Sequence, residues 1–263
     1  FDPAEAPFGS GLEAHRRIEA IKLAFADRDA YIADPERADV PVHALLDKGY
    51  ARGRAAAIGD VALPGARPGL GTDTVYCCTA DGEGNMVSFI QSLFGPFGSG
   101  IGCGDTGVVL QNRGHGFVTD PTHPNALAPG KRPFHTIIPG MLLEGGAPRM
   151  AFGIMGGHVQ AQAHLCFVSN LVDHGMNPQE ALDRARFRYE GDNRVKIEEP
   201  DSPTPEGATL GEALRRRGHE VEAPPNRMTG FFGGGQAIER LSNGVLVGAS
   251  DRRKDGLALG YSG

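Results

Sequence analysis

The spacing of apolar residues predicts a long amphipathic helix over residues 11–33. Apolar side chains recur there at intervals of three and four positions, which is the period of one helix face. Ser10 and Glu13 have the spacing of an N-terminal capping box. A second helical stretch is predicted from about residue 44 to residue 58. Prolines and glycines between residues 64 and 71 then exclude regular structure, so this segment is predicted to be a linker.

After the linker the pattern changes to strands with a two-residue period. Residues 74–80 and 86–93 flank a turn at 81–85 and predict a β-hairpin. A second hairpin is predicted to turn at Ser242-Asn243-Gly244. Further strands are predicted at 108–111, 138–144, 149–154 and 195–197.

Three more helices are predicted in the second half of the chain. One opens at Gly156-Gly157 and is capped by Gly175, and the next begins at Asn177-Pro178, with asparagine as N-cap and proline in the first turn. The third runs from Thr209 to about Arg217. Strands, then helices, then strands again indicate an α+β fold.

Composition narrows the class of protein. The 263 residues are 40% hydrophobic, enough for a sizeable core, and the net charge of −6 opposes binding to nucleic acid or to anionic lipid. The 39 glycines follow no three-residue period, which excludes collagen and indicates tight turns. No apolar run reaches the length of about 18 residues that suggests a membrane span. We therefore expect neither a nucleic-acid partner nor a membrane.

The cysteines and histidines form no recognised ligand motif. The four cysteines include the adjacent pair Cys77-Cys78 but no C-x-x-C, so a reducing, cytoplasmic location is expected. The nine histidines follow no H-E-x-x-H or comparable spacing, so we expect no metal and no other cofactor. The chain opens on Phe1 and not on methionine, which hints at a fragment or a processed chain.

Several ordered strings carry a family resemblance. They are GTDTVY at 71–76, DGEGNMVS at 81–88, FGSGI at 97–101, PGKRP at 129–133 and MGG at 155–157. Together they resemble the γ-glutamyltransferase family, also called γ-glutamyltranspeptidases, within the N-terminal nucleophile hydrolases. The resemblance implies a four-layer αββα sandwich. It also implies that residues 1–73 are the C-terminal part of the large subunit with its linker, and that residues 74–263 are the small, catalytic subunit.

The resemblance further implies a precursor that cuts itself between Asp73 and Thr74. Thr74 then becomes both nucleophile and amino terminus, and its own α-amino group, with a reference pKa of about 7.7 to 8.0, can act as the base. By the same resemblance, the backbone N–H groups of Gly156 and Gly157 form the oxyanion hole. Ser92 stands where the family has a threonine that hydrogen-bonds the nucleophile.

The expected substrate pocket departs from the family's pattern. Gly116 stands in place of the acidic residue that holds the substrate's α-amino group, and Phe94 replaces an asparagine. His135 and Thr136 stand in place of a serine pair. Because Arg113 adds positive charge here, we hypothesise that it receives a carboxylate of a substrate without an α-amino group. The alternative for Arg113 is a surface arginine that bridges two loops.

Three functions follow as expectations. The first is an N-terminal threonine hydrolase that cleaves a γ-glutamyl-type amide through an acyl-enzyme and transfers the acyl group to water or an amine. The second is an amidohydrolase or acylase acting on a small carboxylate amide such as oxamate. The third is an inactive homologue or binding subunit. The expected partners are a small-molecule amide, further large-subunit residues, and copies forming a homodimer or a heterotetramer of cleaved subunits.

Overall fold

The computed structural model describes residues 1–65, 73–224 and 230–261 in two compact units. Unit 1 comprises Phe1–Gly69, Gly98–His135 and Arg188–Pro224, and unit 2 comprises Leu70–Phe97, Thr136–Phe187 and Pro225–Gly263. Most of the predicted linker lies outside the described residues. The predicted division between residues 73 and 74 is a division into two subunits by a cut in the backbone. The two compact units do not test such a cut, so this division stays a prediction.

Helices and strands occur in successive groups along the described parts of the chain. The helices are α1 (Gly11–Tyr31), α2 (Val42–Leu45), α3 (Lys48–Ala56), α4 (Val159–Val172), α5 (Pro178–Asp183) and α6 (Leu210–Arg216). The strands are β1 (Asp73–Ala80), β2 (Met86–Phe94), β3 (Gly140–Glu144), β4 (Ala147–Met155), β5 (Phe187–Gly191), β6 (Arg194–Ile197), β7 (Glu220–Glu222), β8 (Gly234–Arg240) and β9 (Leu246–Ser250). None of these helices is long and apolar enough to cross a membrane.

Unit 1 is built around α1, whose start is the predicted one. Ser10 Oγ accepts the N–H of Glu13 at 3.0 Å, while the Glu13 carboxylate accepts the N–H of Gly9 at 2.7 Å. The single helix predicted for residues 44–58 is wrong, because Asp47 accepts the N–H of Tyr50 at 2.8 Å and starts a separate helix, α3. Helix α6 packs on α1 and carries the predicted Thr209 cap.

Unit 2 stacks one helical layer and two sheets. Strands β3, β4, β8 and β9 form an antiparallel sheet, and its Phe152 and Ile154 share a buried apolar cluster with Phe167 of α4 and Leu182 of α5. The β1–β2 hairpin packs against β4 on the opposite face, where Gly153 points. These layers confirm the predicted α+β class and both predicted hairpins.

Two differences concern short strands. The strand predicted at residues 108–111 is wrong, because Val109 forms only an isolated bridge with Gly102. The chain turns between these two residues, where Gly104 and Gly107 have positive φ. Strands β5 and β7 were not predicted. Strand β7 has three residues and pairs in parallel with β6, a long-range contact that leaves no local periodicity to detect.

Candidate active site

Thr74 is the second residue of β1 and is buried. Its side chain lies on the same face of the strand as buried Tyr76, as the two-residue period requires. The Thr74 hydroxyl donates a hydrogen bond to Ser92 Oγ at 3.0 Å. Ser92 Oγ also accepts the backbone N–H of Phe94 at 3.0 Å. Two donors therefore fix the position of the Ser92 oxygen next to Thr74.

A β-bulge lies opposite Thr74. Asp73 pairs with Phe94, whereas Val75 pairs with Gln91, so two residues of β2 face one residue of β1. Phe94 has φ of +76°, a left-handed conformation that a bulky residue rarely adopts and that costs on the order of 1 to 3 kcal/mol. The strained residue is the direct partner of Asp73. A strained residue thus lies opposite the residue that precedes Thr74.

An open cavity of about 360 Å³ lies at this end of the hairpin. Among the described residues it is lined by Thr74, Val75, Gln91, Ser92 and Leu93. A small molecule can therefore approach Thr74 even though its side chain is largely covered.

The Gly156-Gly157 pair connects β4 to α4 in a conformation that requires glycine. The φ values are +136° and +63°, and a Cβ added to Gly156 would lie 2.5 Å from Val159 Cγ1. His158, the N-cap of α4, has the backbone conformation of a right-handed helix. Backbone N–H groups in such a turn at a helix start can converge on an anion, with the helix dipole contributing.

The direction of the hairpin on the sheet follows from two contacts. Ser88, which pairs with Cys78, donates to Phe152 O at 3.2 Å, and Tyr76 packs on Gly153. Moving along β1 toward Thr74 therefore corresponds to moving along β4 toward its last residue, Met155. The nucleophile candidate and the glycine pair accordingly lie toward the same end of the two packed sheets.

Arg113 and His135 lie in unit 1. Arg113 is 8% exposed, and burial lowers the pKa of its guanidinium. The pKa of His135, an exposed residue, is lowered first by desolvation and second by the charge of Arg113. A Cβ at Gly116 would lie 3.0 Å from Phe134 O, so an acidic side chain there requires a shift of the backbone. Arg113 thus adds a largely buried guanidinium to this part of unit 1.

Thr136 is buried in unit 2, and its hydroxyl makes no hydrogen bond to the residues that the structure describes. Unit 2 thus contains Thr74, Ser92, Phe94, Thr136 and the two glycines, whereas Arg113 and His135 belong to unit 1.

Sequence motifs gave no sign of one buried cluster of metal-ligating residue types. His15, Glu19 and His219 come together in unit 1, with His15 Nδ1 2.8 Å from His219 Nε2. Lys22 Nζ lies 2.7 Å from Glu19 Oε1 and already compensates its charge, which opposes a metal ion. The ring of His15 also hydrogen-bonds Gly59 O at 2.9 Å. This chemistry fits an internal hydrogen-bond network.

Stacked sheets under a helical layer place the chain in the N-terminal nucleophile hydrolase class of folds, and its solved structural neighbours are of that class. The model of the family "Gamma-glutamyltranspeptidase" matches residues 1–261, and the chain belongs to this family. The predicted family and the predicted α+β, N-terminal nucleophile hydrolase class of fold are therefore confirmed.

Individual relatives differ in the substrates that their names state. The chain is 39% identical to a glutathione hydrolase-like proenzyme of Bacillus subtilis, over 99% of this chain and 49% of that protein. It is 39% identical to the oxamate amidohydrolase proenzyme of Klebsiella pneumoniae, over 94% of this chain and 47% of that protein. A cephalosporin acylase from Bacillus halodurans superposes with a TM-score of 0.86 at 44% identity, over 97% of this chain and 46% of the acylase. The chain spans about half the length of these relatives.

Proposed function

We propose that this chain is the catalytic part of a self-cleaving amide hydrolase or acyltransferase in which Thr74 is the nucleophile. The observation that carries the proposal is the 3.0 Å hydrogen bond from the Thr74 hydroxyl to Ser92 Oγ, opposite a bulge and at the head of a strand. A strand threonine without a catalytic role needs neither the bulge opposite it nor a strained residue, Phe94, paired with the residue before it.

The first reaction is the cut itself. Thr74 Oγ1 attacks the carbonyl carbon of Asp73, the C–N bond breaks, and the nitrogen takes the hydroxyl proton and becomes an α-amino group. Water then hydrolyses the resulting ester, which leaves a carboxylate on Asp73 and restores the Thr74 hydroxyl. Phe94, which pairs with Asp73, has a strained backbone, and relaxation of that strain after the cut would favour cleavage.

The second reaction uses the new amino terminus. The α-amino group of Thr74 takes the proton of its own hydroxyl, which attacks the carbonyl carbon of a substrate amide. The N–H groups of Gly156 and Gly157 stabilise the oxyanion, and losing one such donor typically costs a factor of about 10² to 10³ in rate. The amine leaves with a proton, and water or a second amine accepts the acyl group from Thr74.

The substrate favoured by the charge distribution is a small amide that carries a carboxylate. Arg113 supplies a buried positive charge, and Gly116 provides no acid to hold an α-amino group. The name of the Klebsiella relative states oxamate, which lacks an α-amino group, whereas the Bacillus subtilis relative is named for glutathione. A γ-glutamyl amide is the second candidate substrate, and only membership of the γ-glutamyltranspeptidase family supports it.

Two further parts of the proposal concern assembly. Residues 1–73 and 74–263 become separate chains, further large-subunit residues complete the substrate site, and the cleaved subunits form a homodimer or heterotetramer. The coverage of only 46% to 49% of the relatives supports a missing portion of the large subunit.

Intact-mass measurement of the expressed protein tests the proposal. We expect two fragments dividing between Asp73 and Thr74, a single uncut chain for Thr74→Ala, and slower but complete cutting for Thr74→Ser, which keeps the hydroxyl. An uncut chain that is inert toward both oxamate and γ-glutamyl-p-nitroanilide supports instead an inactive homologue or binding subunit.

A further inference from the structure

Two buried polar groups of unit 2 make no hydrogen bond to any part of the chain that the structure describes. They are the side-chain amide nitrogen of Gln160 and the hydroxyl of Thr136. Gln160 is 0% exposed and Thr136 is 6% exposed, so bulk water solvates neither group. Leaving a buried donor without a partner is costly, so both groups call for an acceptor from outside the chain.

The orientation of the Gln160 amide follows from its other contact. The backbone N–H of Ile138 donates to Gln160 Oε1 at 3.2 Å. Because a backbone N–H can only donate, the amide atom that faces it is the oxygen, and the nitrogen is directed away from it. The NH₂ group of Gln160 offers donors and no acceptor, so its partner has to be an acceptor.

Gln160 connects two segments that carry predicted site residues. Through Oε1 it contacts Ile138, which follows Thr136 by two positions. It is also the second residue of α4, and its backbone N–H donates to Gly157 O at 3.1 Å. The residue therefore bridges the segment of Thr136 and the turn formed by Gly156 and Gly157.

The start of α4 favours an anion beside Gln160. The helix has 14 residues, and its dipole places a partial positive charge at the first turn, where Gln160 lies. That turn, which the structure describes completely, contains no acidic side chain. Neutral donors beside such a turn suit a carboxylate oxygen, which can accept several hydrogen bonds at once.

We propose that Gln160 Nε2 and Thr136 Oγ1 donate hydrogen bonds to a carboxylate oxygen in the acyl part of the substrate. The inference rests on the proposed function, because an acyl carbonyl held by Gly156 and Gly157 brings the neighbouring group of the substrate to the first turn of α4. In oxamate the carboxylate is bonded directly to the amide carbonyl carbon, so the two groups need adjacent sites. No motif in the sequence indicated Gln160.

The two donors make the site selective. A substrate that supplies the carboxylate oxygen satisfies both donors, whereas a substrate without it leaves them buried and unpaired. Gln160 therefore determines specificity as well as affinity. Its loss should weaken the binding of carboxylate ligands and should not weaken the binding of neutral amides.

Binding of oxalate to the uncut Thr74→Ala protein, measured by titration calorimetry, tests the inference. Oxalate is the dicarboxylate analogue of oxamate. Gln160→Met keeps the length of the side chain without its donor and should weaken oxalate binding about tenfold or more, the effect of losing a hydrogen bond to a charged group. Thr136→Val should weaken it similarly, whereas Thr136→Ser keeps the hydroxyl and should bind oxalate nearly as tightly as the parent protein.

Asn170→Leu is the matched control. Asn170 is a buried amide on the same helix, about 15 Å from Gln160 along the helix axis, so its replacement should leave the affinity for oxalate unchanged. Thermal unfolding of each variant without ligand establishes that it folds.

A substrate comparison separates hydrogen bonding to the carboxylate from mere support of the turn. In the cut protein, Gln160→Met should lower kcat/KM for oxamate about tenfold or more and leave kcat/KM for acetamide, which has a methyl group in place of the carboxylate, nearly unchanged. An equal loss for both amides would mean that Gln160 only supports the turn, and it would overturn the inference.

Two binding results would also overturn it. They are the absence of oxalate binding to the Thr74→Ala protein and equal dissociation constants for Gln160→Met and Asn170→Leu; a water molecule alone would then be the partner of the two donors. Because Thr74 is absent from the protein titrated, neither result depends on cutting or turnover. A parent chain that binds oxalate through Gln160 but never cuts would refute the proposed function and leave the carboxylate site standing.

Discussion

The ring of Tyr76 lies against the backbone of Gly153, so close that a Cβ added to Gly153 would fall 2.3 Å from Tyr76 Cε2. Tyr76 is buried, and its hydroxyl is 2.8 Å from Ser88 Oγ. This contact joins the hairpin that bears Thr74 to the sheet that leads to Gly156. The seating of the hairpin therefore depends on the absence of a side chain at Gly153.

Gly153→Ala should lift the hairpin from the sheet. We expect a loss of about 1 to 3 kcal/mol in the free energy of unfolding, the usual effect of overpacking a core, together with slower cutting before Thr74. Gly82→Ala is the control, because Gly82 lies in the hairpin turn, has no positive φ and has open space around its Cβ position. Thermal unfolding and the rate of cutting are the measurements, and equal behaviour of the two variants would contradict the prediction.

Ser92→Ala should slow cutting more than it destabilises the fold. It removes the acceptor of the Thr74 hydroxyl, and one hydrogen bond of about 1 to 3 kcal/mol corresponds to roughly 5- to 150-fold in rate. Ser92→Thr keeps the oxygen and should cut at nearly the original rate.

Ser88→Ala is the comparison on the same strand face. Ser88 hydrogen-bonds Tyr76 and Phe152 O but not Thr74, so its loss should lower stability with little effect on the cutting rate below the unfolding temperature. If Ser88→Ala and Ser92→Ala slow cutting equally, Ser92 has no special relation to the nucleophile.

Gly156→Ala should be rescued in part by a second substitution. The added methyl group would meet Val159 Cγ1 at 2.5 Å, and Val159→Ala removes that atom, although the strain from φ of +136° remains. A double-mutant cycle should give a favourable coupling of about 0.5 to 3 kcal/mol in the free energy of unfolding. Additive effects of the two substitutions would show that the clash is relieved by other movements.

Local signals were read correctly from the sequence, because their physics is local. The N-caps at Ser10, Asn177 and Thr209 and the turn at Asn243 each depend on residues within four positions of one another. The three N-caps start the predicted helices, and the turn at Asn243 joins the two strands of the predicted hairpin.

The contact between His15 and His219 could not be predicted in the same way. His15 and His219 are 204 positions apart, and neither stands in a ligand motif, so only the packing of α6 and its following turn on α1 brings them together. The bulge opposite Thr74 escaped prediction for a similar reason. Alternation along β2 fixes which face a residue occupies, whereas the extra residue is visible only in the pairing with β1.

Acid should destabilise unit 1 through its histidine pair. Burial lowers the pKa of His15 and lowers that of His219 to about 3, with the charges of Lys22 and Arg217 acting in the same direction and Glu19 raising the pKa of His15. The unfolded chain therefore binds more protons than the folded chain below a pH of about 6.5. The free energy of unfolding should be independent of these groups above that pH and should fall as the pH drops toward about 3.

Urea unfolding between pH 4 and pH 8 measures this slope, which is at most about 1.4 kcal/mol per pH unit for each histidine. His164 of unit 2, with its pKa lowered to about 4 by burial, adds to the slope in the same sense. His219→Asn should therefore make the slope between pH 5 and pH 6.5 shallower without abolishing it. An unchanged slope would exclude the pair as its source.

Arg113→Gln should separate the two candidate substrates. If the buried guanidinium receives a substrate carboxylate, turnover of oxamate by the cut protein should fall by about 10- to 100-fold, consistent with the loss of a charge-assisted hydrogen bond. The fall should lie mainly in kcat/KM, and Arg113→Lys should restore only part of it because lysine lacks the planar fork. Arg252→Gln, at an exposed arginine, should leave the rate unchanged. Strong turnover of γ-glutamyl-p-nitroanilide that does not depend on Arg113 would contradict the carboxylate-binding role and favour the γ-glutamyl substrate.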